Sequence, residues 1–234
     1  SDFFAESAAS YRFPPEVTSQ RPGEGGYVAY TDRQIEQLRT QQGPIAADLL
    51  QLGFRTVRES RAIGWEDVHR FLNYGVARRL GVIRQSMEQL FAIFPPDRQE
   101  VLNRDEVTTV QIMLHAFVIN VAGIFDNWAW AFLHRHDLVA SVGSSRNVGM
   151  FKRRTQRHLP TALRDYLNDE EMSAWHEEYA KGYRDALAHR IPLYVPPATF
   201  TDEHRAEYVR LEAEKERLIE AEEWERLDEV WAEQ

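Results

Sequence analysis

The residue types best suited to chemistry in this chain lie close together in the segment 182–189, which reads GYRDALAH. The segment contains Arg184, Asp185 and His189. A guanidinium can neutralise the oxygens of a pentacoordinate phosphate, and an imidazole can transfer a proton near neutral pH. These residues therefore predict phosphate chemistry without a metal ion. The same pattern is also typical of a solvated helix end, where positive side chains are favoured.

The order of these residues, Arg184, a polar residue, three others and then His189, resembles the R-x4-6-H signature of the HEPN superfamily. In that superfamily Asn or Asp commonly follows the Arg. The resemblance implies an all-helical, usually dimeric protein in a family rich in metal-independent ribonucleases. It implies RNA cleavage through the 2′-hydroxyl, with His189 in proton transfer and Arg184 stabilising the phosphorane. Asp185 lies on the helical face of His189 and is expected to orient the imidazole.

The position of the Arg and the His on one helix predicts a dimer. On an ideal helix Arg184 and His189 point about 140° apart, so one chain presents the pair imperfectly. Two such helices related by a two-fold axis would place two Arg and two His in one cleft. The family resemblance implies a homodimer of this kind.

The segment after the motif departs from one branch of the family. HEPN toxins that pair with nucleotidyltransferase antitoxins often carry a Tyr two residues after the His, whereas this chain has Ile191 there and Tyr194 further on. A toxin or defence effector controlled by a regulatory protein or antitoxin is still one expectation. The alternatives are a non-catalytic helical module that binds RNA, nucleotides or proteins, and a nucleotide-binding regulator.

Composition limits the other classes of protein. The chain has 234 residues, is 43% hydrophobic and contains no cysteine. It can therefore form one core with an appendage, but no disulfide, thiolate metal site or cysteine nucleophile. It has no uninterrupted apolar run of membrane-spanning length and no secretory signal pattern, so we expect a cytoplasmic protein that makes no membrane contact.

No metal or cofactor is expected either. His134 and His136 are two positions apart and do not share a helical face, so they are a poor zinc pair. The glycine cluster at 23–26 lacks the Lys and the preceding strand of a phosphate-binding loop.

Charge is distributed unevenly along the chain. The formal net charge is -9, yet the span 138–164 contains no acidic residue. The predicted RNA-binding residues in this span are Arg146, Lys152, Arg153, Arg154 and Arg157. The span is either a solvated basic face or a surface that contacts RNA phosphates beside the site.

The hydrophobic pattern predicts an all-α fold, which we interpret as a HEPN-like helical bundle with an N-terminal arm and a charged C-terminal helix. The predicted division is an arm with short helices over 1–60, the bundle over 61–195 and an acidic helix over 196–234. Within 1–60, short helices are expected from Thr31 to Gln42 and after Pro44. The other predicted helices cover 65–94, 105–136, a short stretch after Pro160, 169–189 and 201–234.

Two polar residues stand out in the apolar central helix. Asp126 and Asn127 lie in the sequence FDNWAW, and buried polar groups are costly unless they are hydrogen-bonded. They are either part of a polar network between helices or supporting residues that orient Arg184 or His189.

Overall fold

A computed structural model of the chain is all-α, as predicted from the sequence. About 80% of it is helical, and no strand occurs in the residues it describes. Those residues are 30–98, 100–190, 193–195, 202–224, 226–227 and 230, with side chains left undescribed over 202–208. Residues 1–29 of the predicted N-terminal arm, and Ile191, lie outside the described residues.

The first helix, α1, spans Asp32–Ile63. It begins with a capping box, in which the side chain of Thr31 accepts a hydrogen bond from the backbone of Gln34 and the Gln34 side chain bonds back. It ends at Gly64, whose φ of 70° places it in the left-handed region that glycine adopts readily.

The prediction of two short helices separated at Pro44 was wrong, because α1 runs through this residue without a break. A proline inside a helix removes a backbone hydrogen bond and costs about 3 kcal/mol. Packing offsets this cost, because Leu49 and Leu52 lie against a buried cluster that includes Val76 and Leu80. The sequence signal for a break was therefore overridden by tertiary contacts.

The next helical stretch contains a π-helical segment that the sequence does not reveal. The α-helix α2 spans Glu66–His69, a π-helical segment follows over Arg70–Ala77, and α3 spans Arg78–Ile93. This matches the long helix predicted over 65–94. π-Helical turns are rare and often occur at functional sites.

The central helix, α4, spans Arg104–Arg135, close to the predicted 105–136. A capping box between Asn103 and Glu106 fixes its start. Glu106 also forms an ion pair with Arg98 at 2.9 Å, which holds the preceding loop against the helix.

In length and composition α4 also resembles a membrane span, with a mean hydropathy of 1.7 in its most apolar window. A helix at the centre of a bundle has the same composition. One helix of this kind is weak evidence for a membrane span, so a membrane protein is not indicated. α4 packs against α3 and the π-helical segment over Arg70–Ala77.

The segment after α4 is built from short turns and helices around a second buried cluster. Two 3-10 turns cover Ala140–Val142 and Ser145–Asn147. Two short helices follow, α5 over Arg153–Gln156 and α6 over Thr161–Leu167. The buried residues of the cluster are Ala129, Leu133, Val142, Val148, Met150, Leu159 and Leu167.

The helix that carries the motif is continuous but not uniformly α-helical. It comprises α7 over Glu170–Trp175, a π-helical segment over His176–Lys181 and α8 over Gly182–His189. These bounds agree with the predicted 169–189. Both α8 and this π-helical segment pack against α4, which brings the motif next to the central helix.

The C-terminal helix is shorter than predicted. The helix α9 spans Asp202–Glu220 and does not continue through 234 as one helix. The chain turns after it, where Glu222 has a positive φ of 55°. Leu218 and, beyond the turn, Leu227 are both buried, so the turn returns apolar side chains to the protein.

Candidate active site

The motif residues Arg184 and Asp185 are joined by an ion pair at the surface of α8. The Asp185 Oδ1 atom accepts hydrogen bonds from Arg184 Nη2 at 2.6 Å and Arg184 Nε at 3.0 Å. The Arg184 hydrogen bonds lower the pKa of Asp185, against a weaker effect of burial. Positive charge on Lys181 and His189 acts in the same direction as Arg184. Asp185 is therefore a carboxylate that holds the Arg184 guanidinium.

The third motif residue, His189, is exposed at the end of α8. In the described part of the chain it forms no hydrogen bond with Asp185, because the carboxylate faces the adjacent guanidinium. The role predicted for Asp185, orienting the imidazole, therefore stays a prediction. His189 does lie near enough for its positive charge to affect the pKa of Asp185.

Asp126 of α4 lies close to Arg184. Partial burial raises the pKa of Asp126, while the positive charges of Arg184, Lys152 and Arg79 oppose that rise. Its Oδ1 atom would be 3.0 Å from a Cβ atom built on Gly149, so the loop after α4 closes directly over the carboxylate. Asp126 is thus near enough to Arg184 for the two charges to interact, and its predicted supporting role stays a prediction.

Asn127 belongs to a different network. Its Oδ1 atom accepts a hydrogen bond from Arg79 Nε at 2.8 Å, and Arg79 Nη1 donates to Asn120 Oδ1 at 3.0 Å. A Cβ atom on Gly123 would lie 2.6 Å from Arg79 Cζ, so the guanidinium needs a glycine here. Asn127 therefore takes part in a polar network between α3 and α4. This was the first of the two alternatives that the sequence left open for this residue.

The residues predicted to bind RNA lie on the loop and on α5, and all are exposed. They are Arg146, Lys152, Arg153, Arg154 and Arg157. Within the described residues none of them forms an ion pair. The buried Thr155 anchors this region by donating to the Asn147 carbonyl at 2.9 Å. The basic side chains therefore extend into solvent from a fixed backbone.

The sequence analysis missed His176, the first residue of the second π-helical segment. Its ring stacks on Phe151 with centroids 3.6 Å apart and planes 14° apart. Burial lowers the pKa of His176. The charges of Lys181, Arg184 and Lys152 also lower it, and Glu177 opposes them. Its position eight residues before Arg184 was the only sequence signal, and it was too weak to single out this histidine.

The described part of the chain contains no group of three or more His, Asp or Glu side chains arranged to hold a metal ion. The expectation that the protein uses no metal or cofactor stays a prediction. Comparison with family models, curated proteins and solved structures gave no match to this chain. The HEPN resemblance therefore depends on the motif and on the helices that carry it.

Proposed function

We propose that this protein is a metal-independent endoribonuclease of HEPN type, which acts in the cytoplasm as a homodimer. The observation that supports this most directly is the arrangement at α8. A solvent-accessible arginine, 40% exposed, is fixed by a neighbouring carboxylate, and an exposed histidine follows at the end of the same helix. A cation and a proton-transfer group are what this reaction requires.

The proposed reaction is an internal transfer at phosphorus. The 2′-oxygen attacks the adjacent phosphate, its proton passes to a base, and the P–O5′ bond breaks. His189 gives a proton to the departing 5′-oxygen, or takes the proton from the 2′-oxygen. Arg184 neutralises the phosphorane oxygens as negative charge builds up. The products are a 2′,3′-cyclic phosphate and a 5′-hydroxyl.

The homodimer brings the Arg and the His of the motif together in one cleft in this proposal. Because Arg184 and His189 lie on different sides of α8, apposed copies of the helix would combine an Arg of one chain with a His of the other. Light scattering should give the mass of two chains at micromolar concentration. A monomer that cleaves RNA at full rate would contradict the shared cleft.

Exposed basic residues on the loop and α5 would hold the RNA strand through its phosphates. A toxin or defence role, with a regulatory protein or antitoxin as a further partner, fits a ribonuclease whose activity must be controlled. The departure at Ile191 argues against pairing with a nucleotidyltransferase antitoxin.

The test is cleavage of an end-labelled RNA by purified protein in EDTA. The wild-type protein is compared with His189→Ala and with Arg190→Ala, which removes an exposed neighbour of the histidine outside the motif. We expect cleavage by the wild-type protein and by Arg190→Ala, and strong loss with His189→Ala. Cleavage that needs added metal, or that survives His189→Ala, would exclude the proposed mechanism.

One observation favours a second candidate, a non-catalytic helical module that binds RNA, nucleotides or proteins. Arg184 is already satisfied by Asp185, and a guanidinium that is paired in this way can be a purely structural feature. RNA binding without cleavage in the same experiment would favour this alternative.

A further inference from the structure

An aromatic stack joins three separate parts of the chain beside the motif helix. Phe151 of the loop stacks on His176 and also meets Phe125 of α4, with ring centroids 5.2 Å apart. Phe125 in turn contacts Trp175, at 5.9 Å between centroids. The imidazole of His176 therefore stacks directly on the loop, and the Phe151 ring it stacks on is itself packed against α4.

The residues next in sequence to this stack are charged. Asp126 follows Phe125, Lys152 follows Phe151, and both Asp126 Oδ1 and Lys152 Cγ would lie 3.0 Å from a Cβ atom on Gly149. Arg184 is near enough to act electrostatically on both Asp126 and His176. Thus Lys152 and Arg184 both lie within electrostatic range of the stacked imidazole in a single chain.

The imidazole has one nitrogen available. Nδ1 of His176 lies 3.6 Å from a Glu177 carboxylate oxygen, and Nε2 has no hydrogen-bond partner among the described residues. Within those residues, every buried side-chain nitrogen or oxygen has a partner, so Nε2 is not fully buried. The side chain is 18% exposed, enough for contact with a ligand.

We propose that His176 is the base that accepts the proton of the 2′-hydroxyl, acting beside Arg184 of its own chain. This inference rests on the proposed ribonuclease activity. The 2′-oxygen forms its bond to phosphorus as its proton moves to Nε2 of His176. His189 then gives a proton to the 5′-oxygen as the P–O5′ bond breaks, so that proton uptake and release balance.

The charges around His176 suit this role. Lys152 of the loop, Arg184 of α8 and Lys181 of the π-helical segment disfavour protonation, as does burial, while Glu177 favours it. Asp126 of α4 and Lys152 both lie against Gly149, next to this group of charges. Because the pKa of His176 lies below its ordinary value of about 6.5, the ring is neutral and able to accept a proton near pH 7.

The experiment measures kcat/KM for RNA cleavage in EDTA across pH 5 to 9. His176→Phe keeps a ring to stack on Phe151 but has no titratable nitrogen, and His176→Gln serves as a second variant if the first does not fold. Phe151→Leu is a third variant, which removes the ring that orients the imidazole but keeps the titratable nitrogen. Each variant is checked by its melting temperature.

We expect the wild-type rate to fall at acid pH, as His176 gains a proton. His176→Phe should reduce kcat/KM by about 10² or more and should lack the fall at acid pH. Phe151→Leu should retain that fall at acid pH. A wild-type protein that cleaves RNA while both His176 variants keep its rate and pH profile would overturn this inference and leave the ribonuclease proposal intact. No cleavage by the wild-type protein would overturn both.

A second measurement detects contact between His176 and the RNA strand. The imidazole resonances of His176 should shift when a 2′-O-methyl RNA, which cannot react through its 2′-oxygen, is added. His115 of α4, whose Nε2 atom lies 3.3 Å from the Leu193 carbonyl, is the internal reference. Resonances of His176 that do not move on saturation with this strand would overturn the inference.

Discussion

The two histidines near Arg184 occupy opposite kinds of environment. His189 is exposed at a helix end and has no hydrogen-bond partner among the described residues, whereas His176 is stacked and lies among charges from its own π-helical segment, the loop and α8. The sequence motif identifies the first, and only the fold reveals the second. Chemistry at His189 would require a second chain to fix its geometry, while His176 is fixed within one chain.

The largest expected effect comes from replacing His189, the histidine in the exposed environment. His189→Ala should reduce kcat/KM for RNA cleavage by about 10² to 10⁴, the usual contribution of a general acid or base. The melting temperature should not change, because the side chain is exposed. Kinetics and thermal melting of the same preparation check both points. Loss of folding in this variant would instead assign the residue a structural role.

Arg184 is proposed to act with both histidines, so its removal tests whether they form one site. Arg184→Ala should reduce kcat/KM by about 10² to 10³ through lost charge stabilisation. Arg184→Lys should recover little of this loss, because an ammonium cannot reproduce the forked contact with Asp185. Full activity of the Lys variant would show that only a positive charge is needed.

The basic residues on α5 form a third region, predicted to hold the strand without taking part in the reaction. Replacing Arg153, Arg154 and Arg157 by Gln should weaken RNA binding and reduce the slope of log affinity against log salt by about 2. The control changes the same charge on α1 by replacing Arg33, Arg58 and Arg61. Equal effects from the two triple variants would mean that only net charge matters.

The packing around Gly149 supports the environment of His176 but not that of His189. Gly149→Ala places a Cβ 3.0 Å from Asp126 Oδ1 at a φ of 155°, a conformation that L residues rarely adopt. We expect a loss of about 1 to 3 kcal/mol in the free energy of unfolding. Gly81→Ala, where a Cβ meets nothing within 4 Å, is the control and should not destabilise the protein. A fully stable Gly149→Ala protein would show that the loop does not close on Asp126.

The smallest expected effect is the pH dependence that Asp126 gives to the stability of the protein. Because its pKa is raised, the native state binds the proton more tightly than the unfolded state, and ionisation removes stability as pH rises through the raised pKa. Asp126→Asn should therefore have a slightly higher melting temperature than wild type at pH 7 and no advantage below about pH 3.8. A lower melting temperature for Asp126→Asn than for wild type at pH 7 would mean that the neighbouring cations affect the pKa of Asp126 more than burial does.

The long helices could be predicted from the sequence because apolar residues recur at helical spacing and caps mark the ends, as at Asn103 for α4. The uninterrupted α1 and both π-helical segments could not, since Pro44 signals a break and π turns leave no clear pattern in the residues. The proximity of Asp126 to Arg184 was one of two alternatives that the sequence left open. The stack of His176 on Phe151 depends on a loop path that no local pattern determines.

The central claim, metal-independent attack by the 2′-oxygen of RNA, is tested most directly by the chemistry of the strand. An all-ribose RNA and its 2′-deoxy counterpart are incubated separately with the wild-type protein in EDTA, and the product ends are analysed by mass spectrometry. We expect cleavage of the ribose strand alone, with a 2′,3′-cyclic phosphate on one product and a 5′-hydroxyl on the other. Cleavage of the deoxy strand, or products that carry a 5′-phosphate, would contradict it.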